Sequence, residues 1–216
     1  MNDDPAAPAP VRIDPALKQI ADNAKGFLPE AEAEALYDAA WAMAPRGPIL
    51  EIGSYCGKSA TWLGGAAKAR GGRVVTVDHH RGSEENQAGW EHHDPELVDP
   101  ETGLMDTLPF LRKTLQAAGL EDTVSAVIGR STTVAEIWST PLAMLFIDGG
   151  HAEEHAQNDY SSWARFVMAQ GVLAIHDVFP DPADGGQAPF HIYQRALGDG
   201  FDEIRHVGSL RVLRRP

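Results

Sequence analysis

An α/β fold, a seven-stranded and mostly parallel sheet finished by an antiparallel hairpin with helices on both faces, is expected from three features of this sequence. From residue 49 onward, short apolar runs alternate with stretches of helical spacing, the pattern of strand–helix–strand crossovers and a sheet covered on both sides. The four central runs lead into acids, Glu51, Asp78, Asp148 and Asp177. The final two strand candidates are separated only by Gly208 and Ser209, too little chain for a parallel crossover, so they must form a hairpin.

Taken in order, residues 1–15 begin with MNDDPAAPAP, a Pro- and Ala-rich stretch expected to be a flexible lead-in to one domain covering 16–216. Helices are expected over 16–26 and 30–44, the second with Leu36, Ala40 and Met43 on one face. Pro45 and Pro48 break the chain before a strand at 49–52. There follow a helix over 59–69, a strand over 73–78, a helix over 108–118 and a strand over 125–128. A short helix at 134–138 precedes the strand LAMLFI, which ends at Asp148. A helix over 153–167, a strand ending at Asp177, a helix over 190–197 and strands at 201–207 and 209–214 complete the chain.

The 216 residues, with 43% hydrophobic and 23% charged, can bury a core without metal or disulfide staples. One cysteine, Cys56, rules out an internal disulfide and fits a reducing compartment. No run approaches the ~20 apolar residues of a membrane span, and no signal peptide is seen. A cytoplasmic protein without a membrane partner is expected. The net charge of −13 argues against a nucleic-acid partner, which needs clustered cations. The short basic tract LRVLRR at the C-terminus reads as a strand with solvated ends.

In an open parallel sheet, ligands bind beyond the carboxyl ends of the strands. Four acids along that edge suggest a site, since an acid buried without a partner is costly. The turn after the first strand reads ILEIGSYCGKSATWL, residues 49–63. Gly53 and Gly57 there permit close backbone approach to a ligand. The spacing is neither the dinucleotide fingerprint nor a Walker loop, which disfavours a nicotinamide-dependent oxidoreductase.

The segment EIGSYCGKS resembles motif I of class I S-adenosylmethionine-dependent methyltransferases, and in particular the small catechol O-methyltransferase group. The resemblance covers about residues 48–178. It implies a Rossmann-like methyltransferase fold in which Glu51, Gly53, Tyr55, Gly57 and Ser59 serve the methionine end of the cofactor. It places Asp78 on the ribose hydroxyls, consistent with a carboxylate's ability to accept from two vicinal hydroxyls. Gly129, Arg130 and Ser131 take the adenine-contacting position. From the divalent-metal O-methyltransferases, Asp148, His176 and Asp177 are carried over as metal ligands and His151 as catalytic base beside Asp148. His176 stands where an oxygen ligand is usual, and imidazole suits manganese better than magnesium. Magnesium is expected, with manganese as the alternative. An imidazole titrating near neutrality is a reasonable base for a hydroxyl acceptor.

Residues 79–106 form a long insert containing His79, His80, His92 and His93, four of the nine histidines. A loop of that length is usually functional, and a lid or substrate wall is expected. His80, Arg81, Trp90 and Tyr193, with His191 nearby, are assigned to a hydroxylated small-molecule or oligosaccharide acceptor. The insert and the IHDVFPDPADGG loop are similar to those of actinobacterial sugar 1-O-methyltransferases of mycobacterial methylmannose polysaccharide biosynthesis. That resemblance implies a 3-O-methylated mannoside acceptor; a macrolide, polyketide or phenolic metabolite is the alternative. A regulatory module without catalysis is disfavoured by the His151 group. The two N-terminal helices are left to cover the pocket or to form a contact in an expected homodimer.

Overall fold

The computed structural model describes residues 12–87, 89–90 and 93–216. It contains one seven-stranded sheet of order β3-β2-β1-β4-β5-β7-β6. Strands β1 (Ile49–Ile52), β2 (Val74–Asp78), β3 (Val124–Ile128), β4 (Leu142–Ile147) and β5 (Val167–Ile175) run parallel. Strand β7 (Leu210–Arg214) pairs antiparallel with both β5 and β6 (Asp202–Val207). The fold is the Rossmann-like class I methyltransferase architecture.

Central β1 and β4 are buried along their whole length, as the unbroken ILEI and LAMLFI runs require of strands covered on both faces. One core layer packs α1 (Pro15–Asn23), α2 (Glu30–Met43), α3 (Lys58–Arg70) and α4 (Leu108–Ala117) against one side of the sheet. The other packs α5 (Ser131–Glu136), α6 (Glu153–Trp163) and α7 (Ala188–Gly198) around Trp163, Tyr160 and Leu173.

Several element boundaries differ from expectation. Asp14 caps α1 through the Ala16 amide, so order begins within the segment expected to be flexible, whose first eleven residues lie outside those described. Helix α5 starts at Ser131 rather than 134. Helix α6 ends at Trp163, one turn of 3-10 helix follows, and β5 is already under way at Val167; β-branched Val167 pairs with Leu142, and that pairing overrides the helical spacing. The insert holds 3-10 turns at Glu84–Asn86 and Pro95–Leu97 and a Val98–Met105 bridge. Within the described residues no helix is long and apolar enough to cross a membrane.

Candidate active site

A cavity of about 680 Å³ opens beyond the carboxyl ends of β1, β2, β4 and β5. Its floor is the turn after β1. Gly53 has φ +92°, and a Cβ there would collide with the Asp148 carbonyl; glycine lets the ends of β1 and β4 close together. Tyr55 also adopts a left-handed backbone, φ 44°, a conformation of order 1–2 kcal/mol above the ordinary wells. The turn is held by Asp78: one carboxylate oxygen accepts from the Ser54 and Tyr55 amides at 3.0 and 2.9 Å, the other from the His80 amide at 2.7 Å. Ser54, Ser59, His79, Gly129, Arg130 and Ser131 line the same cavity.

Two residues of the glycine motif do not reach it. Gly57 sits behind the turn, at the start of α3 against Leu111. Glu51 is fully buried beneath the turn and takes a hydrogen bond from Thr76 at 2.5 Å, which in turn meets Ser54. Burial pushes Glu51 up to about 7; Ser59 and Thr76 oppose the rise, while Asp148 and Asp78 add to it. Glu51 therefore acts below the floor, on the residues that contact a ligand.

The reactive edge lies past β4 and β5. Asp148, His151 and Asp177 each offer a ligand atom, and these atoms lie within 4.8 Å of one another. His151 Nε2 is 3.0 Å from Asp177 Oδ2. Asp177 has φ 55°, and this left-handed turn places its carboxylate back towards His151. Burial alone would raise Asp177, but hydrogen bonds from His151 and His176 outweigh it and hold the carboxyl well below its ordinary range.

His176 departs from its expected role as a metal ligand. It is 3% exposed, its Nδ1 is 3.0 Å from Asp148 and 3.3 Å from Asp177, and its Nε2 is 2.6 Å from Glu32. With both ring nitrogens facing carboxylates, the imidazole is a doubly donating cation and has no lone pair for a metal. Burial opposes that charge, but Asp148, Asp177 and Glu32 overcome it and push His176 up to about 12. Asp148 and Asp177 remain as hard oxygen donors for a divalent cation, with His151 beside them.

The four acceptor residues expected from the insert and α7 do not line the cavity. His80 is buried with Nδ1 2.7 Å from Thr107. Arg81 donates to the Met105 carbonyl at 3.0 Å. Trp90 is 60% exposed, and Tyr193 donates to Glu203 at 2.7 Å. His92 lies outside the described residues, and His93 borders a smaller pocket beside Lys25, Phe27 and Tyr55. The insert instead supplies His79, Gly82, Ser83 and Asn86 to the main cavity.

Other lining residues escaped sequence reasoning. The α1–α2 connection contributes Lys25, Phe27 and Leu28, so the N-terminal helices do border the pocket. Helix α6 contributes Glu154, His155, Asn158 and Asp159; their i, i+4 pairing on one helical face was the available signal. Lys25 also pairs with Asp94 and Glu96 of the insert, joining the two walls.

A glycine turn, an acid ending β2 and a His/Asp edge past β4 and β5, all facing one cavity on this sheet order, define a group-transfer site of the class I methyltransferase type. A methyltransferase domain family profile matches residues 50–178, and the chain belongs to that family: it is an S-adenosylmethionine-dependent methyltransferase. Among solved structures, it is similar to cofactor-bound Rv0187 from MTB, with 21% identity over 92% of this chain and 86% of that one and a TM-score of 0.63. The O-methyltransferase TomG from Streptomyces achromogenes, involved in tomaymycin synthesis, shares 19% identity over 95% and 92% of the chains, at a TM-score of 0.62. An O-methyltransferase from Bacillus cereus shares 17% over 95% and 93%, at a TM-score of 0.62.

Proposed function

We propose that this protein is an O-methyltransferase that methylates a hydroxyl of a small acceptor, with His151 as general base. The observation that carries the proposal is the convergence of His151, Asp148 and Asp177 within 4.8 Å, on the same cavity as Asp78 and the Gly53 turn. Asp78, anchored by three backbone amides, receives the ribose hydroxyls; Gly53, Ser54, Tyr55 and Ser59 hold the methionine end, and Gly129, Arg130 and Ser131 border the base. The acceptor oxygen attacks the methyl carbon in line with the sulfonium. The O–C bond forms as the C–S bond breaks, S-adenosylhomocysteine departs, and the acceptor's proton passes to the His151 imidazole. Asp177 orients that ring and stabilises it once charged.

Asp148 and Asp177, with His151 adjacent, are the residues that would hold a divalent cation. Bound there, it would supply a lowered pKa at the acceptor oxygen. With His151 kept free as the base, the donors are carboxylate oxygens, a hard set that suits magnesium or manganese.

For the acceptor, a phenolic, polyketide or macrolide metabolite is the reading supported by similarity to TomG, a protein of tomaymycin synthesis. The second reading, a 3-O-methylated mannoside methylated at its 1-position, is favoured by the polar wall of His79, Ser83, Asn86 and Asp184, which suits a hydroxyl-rich ligand. A cytoplasmic homodimer completes the proposal; sedimentation tests its oligomeric part.

The test is methyl transfer from labelled S-adenosylmethionine to a panel of catechols, macrolides, mannosides and methylated mannosides, with magnesium, manganese or chelator. Turnover on one class selects the acceptor, and loss on chelation supports the metal. His151→Ala is expected to lower kcat about 10²–10⁴-fold while S-adenosylhomocysteine affinity stays within about twofold. An unchanged kcat would remove His151 from the mechanism.

A further inference from the structure

One buried acid has a purpose-built seat although it stands behind the cavity wall rather than in it. Glu32, in the first turn of α2, is buried. Its Oε1 accepts from the Ser209 amide at 2.9 Å. Its Oε2 accepts from the Ser209 hydroxyl at 3.1 Å and meets His176 Nε2 at 2.6 Å. The β6–β7 turn is shaped around this carboxylate: Gly208 has φ +53°, and a Cβ there would collide with Oε1. Stability does not require such a seat, because apolar residues of similar volume in place of a buried ion pair are often neutral or stabilising.

On its other side the His176 ring faces the reactive edge. Its Nδ1 lies 3.0 Å from Asp148 Oδ1 and 3.3 Å from Asp177 Oδ2, so one ring nitrogen bridges the acids that follow β4 and β5. Asp177 Oδ2 is also the atom 3.0 Å from His151 Nε2. An imidazole turns readily about its Cβ–Cγ bond, and the hold of Glu32 on Nε2 is what keeps Nδ1 pointing at both acids. Released from that hold, the two like-charged carboxylates would lose the donor that keeps them side by side, and the Asp177 oxygen facing His151 would move with them. The same turn grips the chain just beyond Asp177, where the Val178 amide donates to the Ser209 carbonyl at 3.0 Å.

Resting on the divalent-cation reading of this edge, we propose that Glu32 is a positioning residue for the site. Acting through the His176 ring, it sets Asp148 and Asp177 side by side to receive a cation and keeps Asp177 turned towards the base. Helix α2 thereby serves the chemistry as well as the core layer it packs in.

The experiment titrates the full-length protein with manganese, followed by the paramagnetic resonance of the free ion, and with S-adenosylhomocysteine by calorimetry. The variants are Glu32→Gln, Glu32→Asp, His176→Asn and the combined Glu32→Gln/His176→Asn. Glu32→Gln is expected to weaken manganese binding about 10–100-fold, the usual cost of losing a group that orients metal ligands, while S-adenosylhomocysteine affinity stays within about twofold. Glu32→Asp keeps the charge but is a methylene too short to hold the ring, so it should weaken manganese in the same direction; it serves if the glutamine protein does not fold. His176→Asn leaves no side chain in reach of Glu32, so adding Glu32→Gln to it should change manganese affinity by less than about twofold. Equal effects of Glu32→Gln in both backgrounds overturn the assignment. So do parallel losses of manganese and S-adenosylhomocysteine, as a merely structural role predicts, and an unchanged manganese affinity in a folded Glu32 variant. A wild type that binds S-adenosylhomocysteine but no manganese overturns the cation reading, and Glu32's role with it.

Discussion

Glu32 and Glu51 are both buried glutamates within one shell of the same site, yet the protein treats them in opposite ways. Glu32, on α2 and 5% exposed, meets the His176 imidazole at 2.6 Å and accepts from the Ser209 amide and hydroxyl at 2.9 and 3.1 Å. Burial works to raise it, but the His176 and Ser209 hydrogen bonds prevail and lower it. Glu51 has neutral hydroxyl neighbours and two nearby acids, and burial carries it up to about 7. The desolvation penalty is common to both; the cation at His176 makes one an ion pair and its absence makes the other a stored acid.

The same substitution at the two positions should therefore act with opposite sign. Glu32→Gln removes a charge from a buried pair and leaves His176 less compensated, and a loss of about 3 kcal/mol in urea unfolding at pH 7 is expected. A neutral result would mean that the Asp148 and Asp177 contacts suffice to hold His176. Glu51→Gln should instead gain about 2 kcal/mol at pH 8, and little at pH 5.

The pH dependence follows the same contrast. The folded pKa of Glu51 lies above its unfolded value, so its contribution is intact below about 4.5 and declines as pH rises to about 7. Glu32 is lowered; its contribution holds above its unfolded pKa and disappears as acid protonates it. His176, raised to about 12, contributes fully below about 6.5 and declines towards pH 12. Thermal melts of wild type and Glu51→Gln between pH 5 and 8 should diverge as pH rises; parallel curves would show that Glu51 does not titrate in this window.

The smallest effect is expected at the cavity mouth. Lys25 is partly solvated, so its pairs with Asp94 and Glu96 should contribute below about 1 kcal/mol. Lys25→Ala should leave the unfolding midpoint nearly unchanged and show itself as a raised KM for the acceptor, since Lys25 and the insert border the same opening. A KM identical to wild type would make this ion pair incidental.

Much of the architecture was legible. Gly53, Asp78, Asp148 and Asp177 follow apolar runs, and strand polarity alone sends the chain after each run to one edge of the sheet. His151, three residues past Asp148, came from the resemblance to the divalent-metal O-methyltransferases rather than from strand polarity. The side chains assigned from the insert were not legible: no periodicity fixes their direction, and His80, with φ 59°, turns inward to Thr107 while Trp90 turns out. The α6 face carrying His155 and Asp159 could have been found from its spacing, had that helix been considered as a wall.

By itself the sequence determined the sheet, the hairpin ending, the glycine turn and the row of acids, because each depends on neighbours a few residues apart. Only the tertiary structure decided that His176 is a cation rather than a ligand, since its partner Glu32 lies 144 residues away. It likewise decided that Glu51 lies beneath the floor and that Asp159 turns towards Ser131. Those outcomes depend on which charges meet when distant segments pack, and the electrostatics of a buried group are set by that company and not by its place in the chain.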